Sequence, residues 1–182
     1  MGQDASRAVR PRSCRIIALR LLGALALAGC VQSSSAREPP RPARTVPPPV
    51  PRGPNATIEQ RIFELVNRYR VARGLAPLVP DRRIGEEARR HSVAMAQGAT
   101  PLGHRGFSDR IDVLRAALPI RRGAENVGVN HGYPDPAAQV VRGWLESSEH
   151  RVNIQGPYEF TGVGVATNAK DEIFFTQIFA GR

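Results

Sequence analysis

From residue 57 onward, apolar positions recur first at the helical period and later at the strand period. Ile58, Ile62, Leu65, Val66 and Tyr69 share one face of a helix. Thr57 reads as its N-cap, with Gln60 three residues on as in a capping box, and Gly74 as its stop. A second helix, capped by Asp81, turns Ile84, Ala88, His91 and Met95 inward and ends at Gly98. A third starts at Ser108 or Asp109 and carries Ile111, Leu114 and Leu118. Asp135-Pro136 opens a fourth, with proline at the first helical position and Ala137, Val140, Val141, Trp144 and Leu145 on its apolar side. Short β-rich runs follow at Gly162–Thr167 and Ile173–Phe179, joined by a turn over Asn168–Asp171, and a further short strand covers Glu125–Val129. The order helix, helix, helix, strand, helix, strand, strand predicts an α+β domain with an antiparallel sheet over residues 57–182.

The residues before this domain have a different character. Residues 1–29 carry five arginines against one acid, then an apolar run from Leu21 to Ala28 and the sequence Leu27-Ala28-Gly29-Cys30. A basic region, a short apolar core and small residues at a cleavage point predict an export signal. The run falls short of the roughly 20 residues that span a bilayer. Leu-Ala-Gly-Cys resembles the lipobox of bacterial lipoproteins, which implies that Cys30 becomes the lipidated first residue of the mature chain. Cys14 then leaves with the signal, so the mature domain has neither a free thiol nor a disulfide. Residues 30–56 read as the lipidated cysteine and a linker; eight of residues 31–56 are proline, a composition that favours extended polyproline II over a packed core.

This division changes the meaning of the charge. Of the formal +10, residues 1–29 hold +4 and residues 31–56 hold +3, which leaves +3 for 57–182. That is an ordinary balance for a soluble domain, with no basic stripe interleaved with aromatics, so nucleic acid is not an expected partner. The linker arginines are compatible with attraction to an acidic membrane or with simple solvation.

The candidate chemistry lies in the second half. His104 sits in a loop between Gly103 and Gly106, Glu125 beside a predicted strand and before Asn126, and His150 after a helix end between Glu149 and Arg151. Imidazole and carboxylate groups are good ligands for zinc-like ions and also serve as general acids and bases. The spacing by itself leaves structural roles open. His104 reads equally as an exposed loop residue, His150 as a helix cap and Glu125 as an acceptor for a turn. His91 falls on the buried stripe of its helix and reads as a satisfied core histidine. His131 reads as a surface residue.

These residues do more than share a region. Gly103-His104, Ala124-Glu125-Asn126-Val127-Gly128, Trp144-x-x-Ser147-x-x-His150-Arg151-x-Asn153-Ile154 and Gly162-Val163-Gly164-Val165 resemble the bacterial, SCP-like branch of the CAP superfamily of cysteine-rich secretory, antigen 5 and pathogenesis-related 1 proteins. Asn67, Arg70, Gly74-Leu75, Leu78, Ala88, His91-Ser92 and Met95 extend the resemblance over most of 57–182. It implies an α-β-α sandwich with helices on both faces of a small antiparallel sheet. It also implies a cleft of two histidines and two glutamates that binds zinc or another divalent ion in some members. His104, Glu125 and His150 carry over; where many relatives have the second glutamate, three residues after Trp144, this chain has Ser147. Asn126, Ser147 and Glu149 are then cleft or supporting residues.

Two kinds of function follow. The first is a non-enzymatic envelope lipoprotein, outside the cytoplasm, whose cleft binds a lipid, protein or cell-wall ligand, with or without a divalent metal. The second is a metal-dependent hydrolase in which His104 and His150 hold the ion and Glu125 is the base. A purely structural envelope protein is a third.

Overall fold

In the computed structural model, which describes residues 53–182, local sequence chemistry sets most of the element boundaries. The elements are α1 (Pro54–Ala72), β1 (Val79–Pro80), α2 (Arg82–Ala96), α3 (Phe107–Ala117), β2 (Arg122–Asn130), α4 (Pro136–Glu146), α5 (Ser148–Gln155), β3 (Phe160–Thr167) and β4 (Ile173–Gly181). The export segment, Cys30 and the linker up to residue 52 lie outside the described residues. The Asp81 carboxylate accepts from the Arg83 N–H and caps α2, and Asp135 accepts from Ala138 N–H and caps α4, as expected.

Four features differ from expectation. Helix α1 begins at Pro54, three residues before Thr57, because Gly53 and a proline in the first turn already start it. Thr57 therefore lies inside the helix and donates its hydroxyl to Gly53 O. A fifth helix, α5, follows α4 after Ser147 alone, so His150 lies in a first turn of its own rather than beyond a helix end. Strand β2 runs four residues past the expected run in total, from Arg122 to Asn130. The sheet is also mixed: the two-residue β1 pairs parallel with β3.

The sheet order is β1-β3-β4-β2. The long strands pair antiparallel, with Glu125 opposite Ile178 and Gly164 opposite Thr176. Side chains alternate between the two faces along each strand. One face, carrying Val163, Val165, Phe175 and Phe179, packs on Ile62 and Val66 of α1, on Val140, Val141 and Trp144 of α4, and on Ile154 of α5. The other, carrying Ile178 and Ala180, packs on Ile84 and Ala88 of α2 and on Ile111 and Leu114 of α3. This is an α-β-α sandwich.

Two glycines set the spacing of the second face. A Cβ built on Gly162 would overlap the backbone of Ile84 and Gly85, and one on Gly164 the backbone of Ala88 and Arg89. Their lack of a side chain lets α2 lie against β3 closely enough for Ser92 Oγ to donate to Gly164 O at 2.9 Å. On the opposite face, Arg70 of α1 is buried and acts as a clasp. Its Nη1 donates to Ile154 O (2.7 Å) and Gly156 O (3.0 Å), and its Nε to Ala76 O (2.9 Å).

Candidate functional site

Strand β2 is an edge of the sheet, and alternation along it sends Glu125 to the α2/α3 face and Asn126 to the other. The site is built around this edge. His104 approaches from the loop between α2 and α3, and His150 from the first turn of α5. Their ring centroids are 6.4 Å apart, with the planes tilted by 40°. Folding thus brings the two imidazoles and the carboxylate together.

The carboxylate does not face water. The Glu125 side chain is 1% exposed, whereas that of His104 is 52% exposed. Arg110 of α3 donates from Nε to Glu125 Oε2 (2.9 Å) and from Nη2 to Oε1 (2.8 Å), a paired geometry that engages both oxygens. His104 Nδ1 lies 3.0 Å from the same Oε1. Arg110 also donates from Nη1 to Arg105 O, which ties the histidine loop to α3. Sequence reasoning missed this arginine, since one charged residue on a short helix reads as solvated.

His150 is held on the other side. Ser147 caps α5, and its Oγ lies 2.9 Å from His150 Nδ1. Asn126, fully buried, donates to His150 O at 3.1 Å and accepts from Asn153 Nδ2 at 2.9 Å. Asn126 and Ser147 therefore position His150. Glu149 is exposed in the first turn of α5, where a negative charge suits the helix dipole. Burial, and then the nearby His104, lowers the pKa of His150, and Glu149 opposes the shift.

His91 is buried on α2, as its place on the apolar stripe predicted, and its Nε2 lies 2.8 Å from Gly103 O, next to His104. Burial lowers its pKa as well. A histidine whose folded pKa lies below its unfolded value leaves the unfolded chain holding more protons, so stability rises with pH across that window. Stability is therefore expected to be fully present above the ordinary histidine pKa near 6.5 and to fall as the pH drops below it. Thermal unfolding of the protein from pH 7.5 to 5 should show this decline, and His91→Gln should flatten it.

The donor set can be tested against a metal ion. A carboxylate at Nδ1 of His104 selects the tautomer protonated there and leaves Nε2 as a lone-pair donor, and Ser147 at Nδ1 of His150 leaves that Nε2 free too. Two imidazole donors are thus available. A tetrahedral ion bound through both, with metal–nitrogen bonds of about 2.0–2.1 Å, needs ring centroids about 5 Å apart, closer than observed. Glu125 is engaged by Arg110, and Ser147 stands where a further carboxylate would help. Among the described residues no group of three or more His, Cys, Asp or Glu side chains forms a metal-ligating cluster.

The site is thus one imidazole on a buried glutamate at the sheet edge, with a second imidazole facing the first, in an α-β-α sandwich. The chain belongs to the CAP family, described as the cysteine-rich secretory protein family, which it matches over residues 63–179. It is 29% identical over 127 residues to the uncharacterized protein YkwD of Bacillus subtilis, covering 68% of this chain and 47% of that protein. The chain thus spans about half the length of this relative, and 35% of a second one, the uncharacterized membrane protein YlbC of Bacillus subtilis. Among solved structures, an extracellular protein containing an SCP domain from Bacillus anthracis matches with a TM-score of 0.60 and 26% identity, over 72% of this chain and 45% of that one. An outer surface protein from Borrelia burgdorferi matches with a TM-score of 0.62 over 71% of this chain and 96% of that one; at 16% identity it speaks to the fold alone.

Proposed function

We propose that this protein is a non-enzymatic CAP module of the bacterial envelope that holds a lipid, protein or cell-wall ligand at the cleft beside His104 and His150. In this reading residues 1–29 export the chain, Cys30 carries the lipid anchor, and the proline-rich linker holds the domain off the membrane. The extracellular SCP-domain protein from Bacillus anthracis supports a place outside the cytoplasm. The observation that carries the non-enzymatic reading is the Arg110 clamp. A general base needs an oxygen within reach of the proton it takes, and Glu125, held by Arg110 on both oxygens, has a side chain only 1% exposed. No observation favours the hydrolase.

The donor set described does not fit a tightly held divalent ion, which would have only His104 and His150 to rest on. With two protein donors, zinc in the purified protein is expected below one equivalent, and His104→Ala or His150→Ala should lower it further. Elemental analysis decides: equal metal in both variants and the parent removes the metal from this proposal. A peptide and ester hydrolysis screen with chelator controls tests the rest. Chelator-sensitive turnover that disappears in Glu125→Gln would establish the enzyme instead. Palmitate labelling lost in Cys30→Ala tests the anchor.

A further inference from the structure

A groove of about 540 Å³ starts at His150 and Ser147 and runs between the outer edge of β2 and α4 to Tyr133. Tyr133 and Gln139 also line a second depression of about 310 Å³ beside Asp135 and Arg142, so the two follow one another along the surface.

The backbone along its floor is only partly capped. In an antiparallel ladder alternate residues turn their N–H and C=O groups away from the partner strand. Asn153 Nδ2 donates to Glu125 O (3.2 Å) and Trp144 Nε1 to Val127 O (3.0 Å), which marks residues 125 and 127 as outward-turning. By the same alternation Val129 turns outward. Val129 is 40% exposed and lies in the groove, and among the described residues no side chain donates to its carbonyl. Its neighbour Asn130 donates from Nδ2 to Pro136 O at 2.9 Å, but its Oδ1 is buried without a partner among the described residues. Side chains thus cap the outward carbonyls of Glu125 and Val127, and among the described residues none caps that of Val129. What the edge lacks there is a donor for a buried amide oxygen and a partner for an outward peptide group.

We infer that the groove binds an extended peptide, which adds to the outer edge of β2 at Val129. A strand added to a sheet edge supplies an acceptor for the Val129 N–H and a donor for its C=O at once, and alternate side chains then fall toward the groove. At about 3.3 Å per residue, three or four residues span β2 from Val127 to Asn130. The peptide's near end reaches His150, so this inference rests on the reading of the cleft as a ligand site and names the ligand's class.

An array of acetylated, amidated hexapeptides probed with the purified full chain in detergent finds the tightest binder, whose affinity is then measured by fluorescence polarisation. Val129→Pro removes an outward N–H without touching the ladder to β4. Gly143→Phe fills the groove from α4, where a Cβ at Gly143 meets nothing within 4 Å. Each substitution is expected to weaken binding at least tenfold, and the wild-type complex to shift the ring resonances of His150. Wild-type affinity in Gly143→Phe, or an array with no peptide above background, overturns the inference. Decanoate separates it from the broader reading. A His150 shift with decanoate in a chain that binds no peptide overturns the peptide alone, and silence toward both overturns the ligand site as well.

Discussion

Arg70→Met is expected to destabilise the protein by about 3–5 kcal/mol, among the largest effects of any single substitution in this domain. The guanidinium is buried with carbonyl groups and not with a carboxylate: those of Ile154, Gly156 and Ala76 all accept from it. Methionine replaces the apolar stem but takes this donor from Ile154 O and Ala76 O, while Gly156 O keeps the Tyr158 N–H at 2.9 Å. A buried acceptor stripped of its partner costs about 1–3 kcal/mol, and the ends of α1 and α5 lose their connection at the same time. Burial lowers the arginine's pKa, yet an arginine keeps its charge in proteins, so the clasp holds at all ordinary pH values. Urea unfolding of the parent and variant gives the difference directly. A loss under about 1 kcal/mol would mean that water replaces the guanidinium, and the clasp would then be dispensable.

Gly164→Ala should be nearly as damaging, at about 3 kcal/mol or more, for the opposite reason. Here one methyl is added. The atoms it meets are the backbone of Ala88 and Arg89, which no rotamer change can move aside. Helix α2 must retreat from β3, and the buried bonds of Ser92 Oγ, which donates to Gly164 O and can accept from Thr176 Oγ1, both 2.9 Å, stretch with it. Gly143→Ala is the control, because a Cβ there meets open space and alanine suits a helix better than glycine. Thermal melts should therefore move in opposite directions for the two glycines.

Much of the framework is legible in the sequence because local signals agree with the tertiary structure. The caps Asp81 and Asp135 and the apolar stripe of α2 are chemical signals that no long-range contact overrides. Helix α5 escapes such a reading: Ser148–Gln155 is polar and buries only Ile154, so its period has nothing to register. Strand β1 is two residues long and exists only because Phe160 and Thr161 pair with it. The site divides in the same way. His104, Glu125 and His150 are marked by their motifs, and the structure brings them together. Arg110 carries no motif, and its effect on Glu125 arises from how α3 packs over β2. The Gly-Val-Gly-Val motif is visible as letters, but its purpose needs the position of α2.

Among the described residues, strand β3 has a partner strand on its outer side only at Phe160 and Thr161. At Val165 the Glu59 carboxylate accepts the backbone N–H at 3.0 Å, and Arg89 grips the same carboxylate at 2.9 Å. A neighbouring chain seeking to zip onto this flank would have to displace an ion pair before forming its first bond. Glu59→Leu would strip that guard, so its cost should show less in the melting temperature than in the concentration at which the protein begins to form fibrous aggregates.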